Sequence, residues 1–476
     1  MDNKLPLLEE LINYHKENNL LYSMPGNKAG KAFEREAYGK YFAENLGYLD
    51  ITEVDPLDNL HHPEGIIKEA QERLAKLYNV KKAYFLVNGT TGGNLAAIFS
   101  CFNEGDEVIV ERNCHRSIYN ALIMRKLKVH YIKGSSASIM KENSGVFLPP
   151  DEESILEAVE SYKNAKGIIL TYPNYFGISY KLHRVMEKLK ENKLKIIVDE
   201  AHGAHYGACN RLPENIASLV DITITSAHKT LPALTGGSYL LSNIKDSSLD
   251  FYVSAFMTTS PSYLIMASLD YARFYLETFG EEDYSNLIDI AEDMKVKINS
   301  LNKVKVLKRE DLPLGYEVDL SRYVLVLPMG YSGSKLQDYL REKHIQCEMC
   351  FHDGVVLILS PWEALEGLEV LYKVLEEMDM EILKTEDVKV KYSGRLLEKE
   401  FEPFEVFTCK DEEIDYKDSL GRVLKEAIVP YPPGIPIGCP GEKVDMELIE
   451  EIHDYIKEDI TVLGMNNNMI KVCIRK

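Results

Sequence analysis

No long apolar run occurs in this sequence: nowhere do its 476 residues approach the roughly 18 consecutive apolar positions that a membrane-spanning helix needs. The opening MDNKLPLLEE lacks a basic leader followed by an apolar core. A secretory signal is therefore not expected, and the expected location is the cytoplasm. Cysteine is sparse, with 8 residues scattered from Cys101 to Cys473, a pattern that suits a reducing compartment better than a disulfide framework. The one close pair, Cys347 and Cys350, has no second pair to complete a zinc site; only His352 offers a further ligand. It reads as buried small residues, and no metal is expected. Positive charge is also short: 55 Lys and Arg against 75 Asp and Glu leave a net −20. Such a surface repels nucleic acid and concentrates cations, small cationic substrates included. There is no internal repeat, no low-complexity tail and no spare basic helical segment of the kind a DNA-binding regulator carries.

The length present is enough for two or three domains with their own cores. Leu7, Leu8, Leu11 and Ile12 mark a short amphipathic helix before the Gly/Pro loop Met24-Pro25-Gly26-Asn27-Lys28-Ala29-Gly30. Over 64–79, Ile66, Ile67, Ala70, Leu74, Leu77 and Tyr78 recur at helical spacing. Short β-rich runs then alternate with helical segments: EVIVE (107–111), GIILTY (167–172), LKIIV (194–198), DITIT (221–225) and GSYLL (237–241). That alternation predicts an α/β domain with a mostly parallel sheet covered by helices on both faces. Beyond about residue 260 the texture changes, with strand candidates YVLVL (323–327) and VVLIL (355–359) and a helical pattern over 363–378. The expected division is an N-terminal arm (1–25), a large domain (26–260), a small α+β domain (261–385) and a C-terminal module (386–476), with a charged stretch near 380–395 as a boundary. The last contains a dense proline loop, Tyr431 to Glu442, whose fixed φ angles give it a rigid path.

Four clusters carry candidate chemistry. Ser226-Ala227-His228-Lys229 follows the strand DITIT. A lysine there can form a Schiff base with an aldehyde cofactor, while Ser226 and His228 can hold a phosphate; a plain surface lysine is the alternative. Asp199 ends an apolar strand at the edge where such sheets bind ligands, and a carboxylate there can pair with a protonated pyridine nitrogen. Ala201 is small enough to lie under a ring; a helix-capping aspartate is the other reading. This segment spells DEAH, but a helicase-type ATPase needs a GxxxxGK[ST] loop, and the nearest match, Gly26 to Lys31, has the wrong spacing and is followed by Ala32. Asn88-Gly89-Thr90-Thr91-Gly92-Gly93-Asn94 joins an apolar run to a helical one, either as a phosphate cradle or as a simple turn. His115, in Arg112-Asn113-Cys114-His115-Arg116-Ser117, follows EVIVE and can stack on a flat cofactor or serve as an ordinary surface histidine.

A phosphate loop, a stacking candidate, an acidic residue and a lysine, each after a strand, stand in the chain order of a fold-type-I pyridoxal-phosphate enzyme. The stretches PGNKAG, LDNLHHPEGIIKEAQ, LVNGTTGGNLAAI, ERNCHRS, TYPNYFG, VDEAHGAHYG, SAHKTLPALTGGSYL and YPPGIPIGCPGE together resemble the ornithine/lysine/arginine decarboxylase family, in its short form without an N-terminal wing domain. The resemblance implies a transferase-like large domain binding pyridoxal 5'-phosphate, with smaller α+β domains after it. It implies that Lys229 holds the aldehyde, Asp199 the pyridine nitrogen and His115 a ring face. Thr90, Thr91, Ser226 and His228 would hold the phosphate, Ala201 and His202 would line the ring, and Glu442 would receive the distal cation of the substrate. Asn27 and Ala29 depart from the PGHKGG of short-form relatives, and His202 replaces the tryptophan of the longer ones.

The implied reaction is decarboxylation of arginine, lysine or ornithine to a polyamine-pathway amine and CO2, by at least a homodimer, with His228 or Lys229 returning a proton to Cα. Orientation of the carboxylate bond and the electrostatics around the cofactor would supply most of the catalysis. Transamination or aldol cleavage is the enzymatic alternative; it needs a fixed arginine on the α-carboxylate, which the sequence does not single out. The non-enzymatic alternative is a cofactor-sensing regulator.

Overall fold

The computed structural model describes residues 5–135, 145–245, 247–385, 395–431, 434–457 and 460–474. Most of the charged stretch expected to mark a boundary near 380–395, and Pro432-Pro433 of the proline loop, lie outside the described residues.

The apolar runs become the strands of one seven-stranded sheet: β1 Lys82–Leu86, β2 Glu107–Glu111, β3 Lys128–Ile132, β4 Gly167–Thr171, β5 Lys195–Asp199, β6 Ile222–Thr225 and β7 Ser238–Ser242. Their spatial order is β1-β7-β6-β5-β4-β2-β3. Only β7 runs against its neighbours; the other pairings are parallel. Both faces of the sheet are covered, so its central strands read as continuous apolar runs rather than alternating ones. Ile109, Ile168, Ile196 and Val198 belong to the core on one face, and Val108, Val110, Ile169, Ile197, Ile222 and Ile224 to the core on the other. That division follows the two-residue period of a strand. The C-terminal ends of β1, β2, β5 and β6 share one edge, so the four candidate clusters are brought together there.

Of the helices, α1 Pro6–Lys16 forms as expected but buries no residue. The helices α2 Ile66–Leu77, α3 Gly89–Cys101, α4 Arg116–Met124 and the single turn α5 Ala227–Thr230 follow, and α6 Tyr263–Ser300, 38 residues long, leads out of the large sheet. Beyond it lies an antiparallel sheet of β8 Lys305–Val306, β9 Arg322–Val326, β10 Met349–Phe351 and β11 Gly354–Ile358, ordered β8-β9-β11-β10. A third sheet, from β12 Asp411–Asp415, β13 Met465–Asn466 and β14 Met469–Cys473, has its own core around Leu424, Leu448, Ile452 and Val472. Cys347, which ends the short strand Ile345–Cys347, and Cys350, in β10, are both buried, and burial pushes both thiols up, Cys347 to about 12 and Cys350 to about 11.

Two short pairings join the parts. Leu20–Tyr22 pairs in parallel with Ile345–Cys347, tying the arm to the small sheet, and Tyr316–Val318 pairs with Ile178–Tyr180 of the large domain. The second pairing sets the chain just before β9 against the loop after β4. Among the described residues no helix is long and apolar enough to cross a membrane.

Candidate active site

Asp199 closes β5 and is buried. Its Oδ2 accepts a hydrogen bond from Asn94 Nδ2 at 2.9 Å, and its Oδ1 accepts one from the Ala201 amide at 3.1 Å. Asn94 reaches it from the second turn of α3 and donates also to Ser117 Oγ at 2.9 Å. The remaining oxygen of Asn94 is buried without a partner. α3 lies close against the sheet because Gly93 has no side chain: a Cβ there would meet Ile224 Cγ2 and Leu86 Cδ1 at 2.6 Å.

Lys229 sits in α5 directly after β6, half-buried, with Nζ 3.0 Å from His202 Nε2. Burial pushes its ammonium down to about 8, against the opposing pull of Asp199 and Glu348. His202 is buried, and burial, then the positive charges of Lys229 and Arg322, hold it far below the usual histidine range. The ring of Tyr175 meets it edge-on at 4.7 Å. His115 caps α4, its Nδ1 accepting from the Ser117 amide at 3.2 Å, and its ring is exposed on the open side of the site.

Thr90 and Ser226 are buried and face each other, Ser226 Oγ donating to Thr90 Oγ1 at 3.3 Å. Thr91, on the same first turn of α3, is exposed. His228 Nδ1 lies 2.8 Å from the Gly237 carbonyl, which can only accept, so Nδ1 carries a proton; burial lowers the basicity of the ring. Ala201 is buried next to Asp199.

Glu442 does not stand free for a substrate cation. Its two oxygens accept from Arg112 Nη1 at 2.6 Å and Nη2 at 2.7 Å, and Oε2 accepts also from the Cys439 amide at 2.7 Å. Both side chains are only 1% exposed. A forked guanidinium–carboxylate pair of this kind satisfies the charge internally. The proline loop thus delivers its glutamate to Arg112, at the end of β2, and joins the C-terminal module to the large domain.

Arg322 and Glu348 carry no local sequence signal, and Lys28 lies in a loop that the sequence marks without giving this residue a role. Arg322, at the start of β9, is buried and donates to the Tyr175 carbonyl at 2.8 Å. Glu348 accepts from the Met24 amide at 2.8 Å and from the Tyr175 hydroxyl. Lys28 of PGNKAG is buried, donates to the carbonyls of Ser23 at 2.6 Å and Ile358 at 3.2 Å, and is pushed by burial to about 7.

Residues 5–312 match the Orn/Lys/Arg decarboxylase major domain, and residues 401–461 match that family's C-terminal domain. The chain belongs to the Orn/Lys/Arg decarboxylase family. It is 34% identical to the uncharacterized protein YaaO of Bacillus subtilis, over 96% of each chain. It is 30% identical to an arginine decarboxylase of Halalkalibacterium halodurans, covering 98% of this chain and 96% of that one. The lysine decarboxylase LdcF of Francisella novicida has the same fold, with a TM-score of 0.80 and 19% identity over 99% of this chain and 82% of that one. The protein is accordingly a pyridoxal-phosphate-dependent amino-acid decarboxylase of fold type I.

The residues present fit that cofactor. They offer an amine of lowered basicity at Lys229 and a buried carboxylate at Asp199, one strand away and held by two donors. The first turn of α3, with the Thr90 and Ser226 hydroxyls beside it, supplies hydroxyl groups and a favourable helix end for a phosphate.

Proposed function

We propose that this enzyme removes the α-carboxylate of a basic L-amino acid, arginine first and lysine or ornithine next, giving the diamine-type product and CO2. The observation that carries this reading is the pairing of Lys229, with its lowered basicity, and the doubly held Asp199 on neighbouring strand ends of a decarboxylase-family chain. Arginine comes first because four relatives of matching length, at 27–30% identity, are named arginine decarboxylase. Bound pyridoxal phosphate supplies an aldehyde for the substrate amine and a conjugated ring that takes up the electron pair left when CO2 departs.

The rest falls to the chain. Lys229 would hold the cofactor through its amine and, once the substrate amine has taken its place, would be free to return a proton to Cα. Asp199 would pair with the ring nitrogen, and Asn94 and the Ala201 amide hold its carboxylate in place. His115 would cover one ring face and Ala201 would leave room on the other, while Thr90, Ser226 and the start of α3, with Thr91 and His228, would hold the phosphate. His228 donates there only when protonated, because its Nδ1–H is already engaged by Gly237. We do not assign Glu442 to the substrate; Glu348, a carboxylate near enough to Lys229 to raise its pKa, is the better candidate for the distal cation. Transamination is less well supported, because the Arg322 guanidinium is turned to Tyr175 and His202 rather than left open for a carboxylate.

The test is a substrate panel with arginine, lysine and ornithine, reading CO2 together with agmatine, cadaverine and putrescine. Agmatine as the main product supports the reading. Keto-acid formation without CO2 would sink it.

A further inference from the structure

The small domain reaches the cofactor segment through one turn, Asp319-Leu320-Ser321-Arg322. Tyr316–Val318 pairs with Ile178–Tyr180, and the Asp319 amide then donates to the Gly177 carbonyl at 2.8 Å. Gly177 (φ +75°) makes the approach possible, since a Cβ there would lie 2.9 Å from Arg322 Cδ. The two charged residues of the turn meet two histidines of the segment Asp199 to His205 with the same three-residue offset. Asp319 Oδ2 lies 3.0 Å from His205 Nε2, and both side chains are essentially inaccessible. Arg322 Nη1 and Nη2 each lie 3.5 Å from His202 Nδ1. The other ring nitrogen of His202 faces Lys229 at 3.0 Å.

A guanidinium can only donate and never gives up its charge. Nδ1 of His202 is therefore an acceptor, and a neutral ring must carry its single proton on Nε2, on the side of Lys229. We propose that Arg322 is a positioning residue that makes Nδ1 of His202 the acceptor of the ring, so that the neutral ring turns its Nε2–H toward the nitrogen of Lys229 when that amine is unprotonated and able to accept. The charged and titratable groups facing this ring are all unfavourable to a second proton. Lys229 and His228 come from α5, His115 from the cap of α4 and Arg322 from β9, with the Tyr175 ring against the edge. The consequence is a hydrogen-bond donor beside the reactive nitrogen whenever Lys229 is the free amine. Proton return to Cα is left to Lys229, and His202 takes no part as a shuttle. The inference rests on the reading of Lys229 as the cofactor-bearing residue.

The test follows the absorption of the cofactor-loaded enzyme as a function of pH. In Arg322→Leu the midpoint of that titration is expected to move, because Nδ1 of His202 loses its donors and the ring proton is free to leave Nε2. Arg322→Lys should keep the wild-type midpoint, and in a His202→Asn background Arg322→Leu should move it no further. An Arg322→Leu titration superimposable on that of the wild type overturns the proposal. If Arg322→Leu does not fold, histidine-selective 15N NMR of the wild-type holoenzyme decides, with the His202 signal identified by its loss in His202→Asn. The shift pattern of an unprotonated Nδ1 at all pH values supports the assignment, and a proton on Nδ1 overturns it. A wild type that binds the cofactor without any lysine-linked absorption would instead bring down the reading of Lys229.

Discussion

Lys229 is distinguished from the other lysines by surroundings that favour its neutral amine. With a pKa of about 8, roughly a tenth of it is unprotonated at pH 7, against only about one part in 3,000 for an ordinary lysine near 10.5. Cofactor capture by the cofactor-free protein should therefore rise with pH through a midpoint near 8, and stopped-flow loading at several pH values checks this. A midpoint above 10 would show that the amine is not activated. Lys229→Ala should lose the lysine-linked absorption and turnover, by roughly 10³-fold or more. Asp199→Asn should keep the cofactor bound while kcat falls by roughly 10²-fold or more, because an amide cannot hold the ring nitrogen protonated. Retained turnover in a folded Asp199→Asn protein would remove the carboxylate from that role.

The loops and strand ends that carry these residues are locked by buried ion pairs between elements. The pair of Arg112 and Glu442 fastens the proline loop to the end of β2, and Cys439 enters the core of the large sheet beside it. Glu442→Gln should leave a buried guanidinium short of its counter-charge and destabilise the protein by about 3–5 kcal/mol, read in urea unfolding. A glutamate that served the substrate alone would raise KM and leave the unfolding midpoint unchanged. The pair of Asp319 and His205 joins the two larger domains. Burial alone would raise the Asp319 pKa, but the charge and hydrogen bond of His205 bring it down from 3.8 to about 2. Its folded value lies below its unfolded one, so the stability it contributes is present above about pH 4 and lost as the pH falls through 2. The contribution is ~2 kcal/mol. Asp319→Asn should flatten that acid limb in pH-dependent urea unfolding; an unchanged limb would mean that other carboxylates set it.

Over the whole molecule the notable feature is apolar surface left uncovered at the N-terminal arm. In α1, Leu7 is 74% and Leu11 58% exposed, Leu8 and Ile12 lie on the same short helix and Leu5 just before it, and none of them is buried. An eleven-residue helix has little stability of its own in water and normally depends on packing of its apolar face. We propose that a second copy of the chain covers it, making the enzyme at least a homodimer. Sedimentation should show a dimer at micromolar concentration, and Leu7→Glu/Leu11→Glu should shift it toward monomer. A fully active monomeric wild type would refute this.

The sequence alone determined the large domain to a considerable depth. Central strands buried on both faces must be apolar throughout, so GIILT, KIIVD and ITIT announce themselves. The edge strand KVHYI does not, because Lys128 and His130 are less buried than their neighbours and break the run. Lys229, Thr90, Ser226 and His115 could be singled out as candidates for a related reason: each follows a strand, as Asp199 ends one, and candidates at a sheet edge stand in local segments. What only the tertiary structure decided came from residues distant in the chain. Arg322 meets His202 across 120 positions, and Arg112 meets Glu442 across 330. Nothing local in a side chain says which charge will neutralise it. Once both partners are withdrawn from water their pairing is dictated by proximity, and proximity is a property of the fold.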